Sequence, residues 1–300
     1  MENDPNVQPR LHSEEYFGEQ RNHWWNLDFV ELMAKRCQLH NVHSLLDVGC
    51  GVGHWGRLLA PFLAKDAQIV GVDREEQWVQ KSQLAPIARP ARYQIGDAQA
   101  LPFADNSFDM VTCQTVLIHL YDPQKALSEF LRVLKPGGLL LVAEPNNICQ
   151  NLVKTSLDVN VDLDLFLQNL KFEMMCERGK ILLQEGDGSI GDRIPQLLSE
   201  LGVSNISVHQ SDKCFSTLPP YNAVGDQETI ELLKKFKDGD HGWWKHDAER
   251  YFFAAGGTQE EFDRYWIYFQ KRNETFLSAM QSNSYYFAGG QIFYLISARK

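Results

Sequence analysis

The stretch Leu45-Leu46-Asp47-Val48-Gly49-Cys50-Gly51-Val52-Gly53-His54-Trp55-Gly56 runs an aliphatic strand-like segment into an acidic residue and a glycine-rich turn. Glycines let the backbone pass close under a ligand, and the start of the helix that follows offers unpaired N–H groups. The chemistry expected there is the binding of a nucleotide-like molecule. Gly51-x-Gly53-x-x-Gly56 also fits the dinucleotide pattern and by itself would suit NAD equally well. No Gly-Lys-Ser/Thr closes the turn, which excludes a P-loop. Asp73 ends the next aliphatic run, where its carboxylate can accept hydrogen bonds from both hydroxyls of a ribose. A third run ends in Gly96-Asp97-Ala98, followed by Ala100-Leu101-Pro102-Phe103 and Asn106-Ser107-Phe108-Asp109; Leu134-Lys135-Pro136-Gly137-Gly138 precedes a fifth.

In this order, the motifs from about Ser44 to Glu144 resemble the class I S-adenosylmethionine-dependent methyltransferases, particularly the group around the ubiquinone/menaquinone-biosynthesis C-methyltransferases. The resemblance implies S-adenosyl-L-methionine as cofactor and in-line displacement at its methyl carbon. It also implies roles for residues. Asp47, Gly49, Gly51 and Gly53 would lie beside the methionine part, and Asp73, with Arg74 next to it, would face the ribose. Asp97 and the backbone of Ala98 would read the adenine amino edge, and the backbone of Gln114 would lie near the methionyl amino group. His119, five residues beyond Gln114, is the candidate general base and acceptor contact. A histidine satisfied by a backbone carbonyl reads the same way.

Other candidates have weaker signals. Tyr16 and Trp24 lie in an aromatic arm that could cover a cofactor or an apolar acceptor, or simply dock on the core. Glu144-Pro145-Asn146-Asn147 follows the fifth strand at the ligand edge and could line the acceptor pocket, although proline and asparagine are also ordinary turn residues. Gly186–Arg193 is a candidate pocket rim. His241 and His246 stand five apart, not on one helical face, and no cysteine or carboxylate cluster completes a metal site. Two rival functions remain at this stage: an NAD(P)-dependent oxidoreductase, and a non-catalytic protein that uses the cofactor pocket to support a partner.

From residue 44 onward, aliphatic runs alternate with helical stretches, the mark of parallel strands joined by crossover helices. Strands are predicted at Ser44–Val48, Gln68–Val72, Arg92–Ile95, Phe108–Cys113 and Gly138–Ala143, with helices at Trp55–Leu63, Glu75–Leu84 and Pro123–Leu134. A further helix, Ile194–Leu201, leads into Val203–His209, which is expected to pair antiparallel with Ile292–Ile296 at one edge. The predicted fold is α/β: a doubly wound, Rossmann-like, mostly parallel seven-stranded sheet with an antiparallel edge strand and helical insertions. Residues 1–43 read as a helical N-terminal arm or lid, and 44–300 as the main domain with insertions at about 146–191 and 219–288.

The chain has 300 residues, with 29 basic against 39 acidic side chains and a net charge of −10. That acidity argues against nucleic acid as a partner. The apolar runs are only strand-sized, and the polar start lacks a leader's apolar region, so no membrane span is expected. Six scattered cysteines without a Cys-x-x-Cys pair suit a reducing cytoplasm. The expected acceptor is a small or medium-sized, partly apolar molecule.

Overall fold

The computed structural model describes residues 24–84, 86–223, 226–227, 230, 245–290 and 292–300. Helix α1 (Leu27–Arg36) precedes strand β1 (Ser44–Val48), which is followed by α2 (His54–Leu59), β2 (Gln68–Asp73), α3 (Glu76–Ser82), β3 (Ala91–Ile95) and β4 (Phe108–Gln114). Helix α4 (Pro123–Val133) then leads directly into β5 (Leu134–Asn146). Beyond it come α5 (Asn147–Gln150), α6 (Leu163–Leu182), α7 (Ile194–Glu200), β6 (Ser207–Gln210) and β7 (Phe215–Thr217). The rest is α8 (Lys245–Ala254), α9 (Gln259–Gln281), β8 (Phe287–Gly289) and β9 (Ile292–Arg299).

Seven strands form one sheet in the order β3-β2-β1-β4-β5-β9-β6. The pairs β3–β2, β2–β1, β1–β4 and β4–β5 are parallel. Strand β9 runs antiparallel to both of its neighbours, with Ile296 opposite Val142 of β5 and Val208 of β6. The reversed strand therefore lies one place in from the edge, and short β6 forms the edge itself. Strand order turns around between β1 and β4, the switch point where ligands settle in open α/β sheets.

Aliphatic residues on both faces of β1 are what a sheet covered on two sides requires. Leu46 and Val48 pack with Val111, Leu127, Phe130, Ile194 and Leu198 on one side. Leu45 packs with Met110, Leu141, Trp55 and Leu59 on the other, where α1 contributes Phe29, Val30 and Met33. The arm's described portion is thus part of the core. Helix α2 ends earlier than predicted and gives way to a 3-10 turn at Ala60–Phe62, where Pro61 has no N–H for an α-helical bond. Strand β5 is longer than the predicted Gly138–Ala143. Its register shifts between Phe108↔Leu134 and Met110↔Leu139, and Gly137, at φ +75°, absorbs the irregularity.

The long helices of the two insertions pack on one another. Phe172 of α6 stacks on Tyr265 of α9 with ring centroids 3.5 Å apart, and on Phe252 of α8 at 4.8 Å. Arg272 of α9 pairs with Asp158 at 2.7 Å, and Ser156 exchanges hydrogen bonds with Tyr286. The helical patch read at Glu228–Phe236 lies almost wholly outside the described residues.

Candidate functional site

The sheet brings Asp47, Asp73, Gln114 and Asn146 to the carboxyl ends of β1, β2, β4 and β5, with Asp97 just past the end of β3. Between β1 and α2 the chain alternates into left-handed backbone at Gly49 (φ +63°), Gly51 (+52°) and Gly53 (+82°). A side chain at Gly49 would run into the methyls of Val116 from the segment after β4, so only glycine accommodates both the turn and its neighbour.

Asp73 braces this turn. Its Oδ2 accepts the Gly51 N–H at 2.8 Å and its Oδ1 accepts the Glu75 N–H at 3.0 Å, joining the β1–α2 and β2–α3 loops. An ionised carboxylate has about four acceptor positions, so two remain for a vicinal diol. Arg74 beside it points to solvent and pairs with Glu75 at 3.1 Å.

Asp47 sits lower. Its carboxylate is buried beneath the turn and accepts the Gly56 N–H at 3.0 Å. Burial pushes its pKa up to about 7, against the Gly56 N–H and with the help of the Asp73 charge. Alongside, the Trp55 indole N–H donates to Thr112, whose hydroxyl donates to the Leu141 carbonyl, fixing the start of α2 to the sheet. Arg57 donates to the Val52 carbonyl from the other side of the turn.

Asp97 is exposed; its Oδ1 accepts the Gln99 N–H at 2.9 Å, which turns the chain at Ala98 and leaves Oδ2 open to a donor. Gln114 is buried, and the next residue, Thr115, adopts left-handed backbone at φ +53°. The strained link is held by the Thr115 N–H on the Ala143 carbonyl at 2.9 Å and by its hydroxyl on the Gln114 carbonyl at 2.7 Å. His119 ends the 3-10 turn Leu117–His119 and is exposed on the same rim.

The remaining candidates are more structural in their contacts. Asn146 is buried: its Oδ1 caps α5 through the Cys149 N–H at 3.0 Å, and its Nδ2 donates to Asp192 at 2.6 Å. The Asn147 N–H donates to Gly188 in the predicted rim at 3.3 Å. Trp24 is half-buried, 5.9 Å from the Phe293 ring. Tyr16 and His241 lie outside the described residues. Among the described residues, no cluster of histidine, cysteine and acidic side chains could hold a metal, and no helix is long and apolar enough to cross a membrane.

Sequence reasoning passed over Thr115 and Val116; Glu144, read with Asn146 and Asn147 as a possible lining of the acceptor pocket, is buried, and its Oε1 accepts the N–H groups of Val116 and Leu117 at 2.8 Å each. Acidity at the end of β5 was the only available signal for Glu144. A threonine in left-handed backbone gives none.

The set of hydrogen-bonding groups suits a nucleoside with a vicinal diol and an amino-bearing base: a free pair of acceptor positions on Asp73, an open acceptor oxygen on Asp97, and backbone at Ala98 and Gln114. Comparison with known proteins agrees in kind. The profile of the methyltransferase-domain family matches residues 46–142. The chain is 34% identical over 116 residues to an uncharacterized methyltransferase, YcgJ, of Bacillus subtilis, covering 38% of this chain and 45% of that one. It is 38% identical over 126 residues to the 2-methyl-6-phytyl-1,4-hydroquinone methyltransferase of Synechocystis, covering 40% and 38%. It is 30% identical over 167 residues to the ubiquinone/menaquinone biosynthesis C-methyltransferase UbiE of Saccharophagus degradans, covering 54% and 61%. The chain thus spans between about two fifths and three fifths of the length of these relatives. Among solved structures, one described as a putative methyltransferase from Bacillus halodurans aligns with 92% of this chain and 99% of its own at 19% identity and a TM-score of 0.49. None of these comparisons favours the nicotinamide or the partner-support reading. The glycine turn and the carboxylate that braces it lie inside residues 46–142, the segment that matches the methyltransferase-domain family.

Proposed function

We propose that the chain binds S-adenosyl-L-methionine at the carboxyl edge of β1, β2 and β3 and transfers its methyl group to a small or medium-sized, partly apolar acceptor. The observation that carries this reading is the glycine turn braced by Asp73 inside the segment that matches the methyltransferase-domain family. The hydroquinone and quinone-biosynthesis names of two relatives support an acceptor with an aromatic, oxygen-bearing ring.

The cofactor's sulfonium supplies an electrophilic methyl group, so no covalent enzyme nucleophile is needed. Asp73 would hold the ribose diol and Asp97 with Ala98 the adenine edge. The glycine turn and the Gln114 backbone would hold the methionine portion. This chain's part is to orient two reactants and exclude water between them. His119, on the rim beyond Gln114, would take the proton of a phenolic or enolic acceptor. Tyr16 of the aromatic arm would contact the cofactor, and Trp24 would contribute to the acceptor's apolar surroundings. A cytoplasmic location fits the scattered, unpaired cysteines.

The test is a melting experiment followed by a transfer assay. S-adenosylhomocysteine at about 100 times its dissociation constant is expected to raise the Tm by roughly 5 °C, and NAD is expected to leave it unchanged. Labelled methyl should then pass from S-adenosylmethionine to hydroquinone-type acceptors. Stabilisation by NAD alone would overturn the reading.

A further inference from the structure

Three groups converge on the turn that follows β4, and the methyl-transfer reading uses none of them. Glu144 of β5 is completely buried; its Oε1 accepts the Val116 and Leu117 N–H groups at 2.8 Å each and the Cys113 thiol at 3.8 Å. Its Oε2 is buried with no partner among the described residues. Lys180 of α6 is 7% exposed, and its ammonium donates to the Ile118 carbonyl at 3.4 Å. Gly186, in left-handed backbone at φ +102°, lies so close to the same carbonyl that any side chain would collide with it.

Burying an ammonium is costly unless charge and hydrogen bonding offset the loss of water. Lys180 is in that situation: desolvation lowers its pKa, and the charges of Glu177, Asp187, Glu185 and Glu144 oppose the shift. An apolar residue at this point of α6 would have avoided the cost; the lysine adds a charge opposite buried Glu177 and the contact with Ile118. The held turn has a reach. Two residues before Ile118, the Val116 side chain sits on Gly49, the first glycine of the β1–α2 turn. Between Gln114 and Val116 the backbone passes through strained Thr115, which holds its geometry only while both ends are pinned.

We propose that Glu144, Lys180 and Gly186 are positioning residues that lock the 115–119 segment against the glycine turn, so that the helical insertion sets the affinity of the cofactor pocket. Lys180 and Gly186 lie in the helical insertion beyond the matched segment 46–142, and Glu144 stands on β5 just past its end. The proposal rests on the cofactor reading above and deepens it.

Two measurements on the full chain test it together: amide hydrogen exchange across residues 116–119, and calorimetry with S-adenosylhomocysteine. Lys180→Met is expected to speed exchange in that segment and to weaken binding, each by about fivefold. Lys180→Arg keeps a donor for the Ile118 carbonyl and should restore most of both. A folded Lys180→Met with wild-type exchange, or with faster exchange but unchanged affinity, overturns the proposal. Should Lys180→Met not fold, Glu144→Gln decides between the same outcomes, because it removes the carboxylate's charge at nearly constant volume. Failure of the wild-type chain to bind S-adenosylhomocysteine would refute the cofactor reading; unchanged affinity in the variants refutes only the coupling.

Discussion

A carboxylate at the tip of β2 has two duties that pull on the same atoms. Asp73 ties Gly51 to Glu75 through its own two oxygens and, in the proposed function, offers the remaining acceptor positions to a ribose. A hydrogen bond to a charged group is worth about 1.5–3 kcal/mol, so Asp73→Ala should weaken S-adenosylhomocysteine binding by one to two orders of magnitude, read by calorimetry. Unchanged affinity would remove Asp73 from the site. Its place was legible from its spacing after the glycines, because a strand and a crossover helix take a fixed length of chain. Its bracing of Gly51 was not, since a sequence does not say which way a backbone N–H points. Asp47 shows the same limit: the type and position are readable, yet the carboxylate lies under the turn, engaged with Gly56. Thr115 was illegible for another reason. Glycine or asparagine would have announced left-handed backbone, whereas threonine is held there by tertiary contacts.

Strands and helices were recovered where burial on both sides leaves only aliphatic residues, as in β1, β2 and β4. Their ends were harder, because ends depend on caps and on neighbours distant in sequence. Helix α4 has both local signals: Pro123 at its first turn and Asp122 accepting the Lys125 N–H at 2.9 Å. Asp122→Ala should lower stability by about 1 kcal/mol in urea denaturation, with cofactor affinity unaffected. The extension of β5 through Lys135, Pro136 and Gly137 had no such local signal. Gly137 donates to the carbonyl of Lys300, so the partner that draws this stretch into the sheet lies more than a hundred residues away.

Taken whole, the two segments that break the strand-helix alternation are one structure. Helices α6, α8 and α9 share a core of Phe172, Cys176, Tyr251, Phe252, Phe262 and Trp266. Each segment alone looked like a separate addition because its apolar face finds its partner only across the intervening chain. Arg272 fastens α9 to Asp158, which is 7% exposed and also caps its own turn through Thr155. Arg272→Met strands that carboxylate and should cost about 2 kcal/mol, appearing as a lower Tm and faster amide exchange in α9. An unshifted Tm would show that the pair is only superficial.

Because β9 is threaded between β5 and β6, synthesis of the polypeptide reaches the centre of that half of the sheet last. Until residues 292–299 arrive, β5 presents an unpaired ladder and β6 has no strand to join. A nascent chain halted short of that point carries a long, sticky β border of Leu140, Leu141 and Val142, the kind of margin along which incomplete molecules adhere to one another.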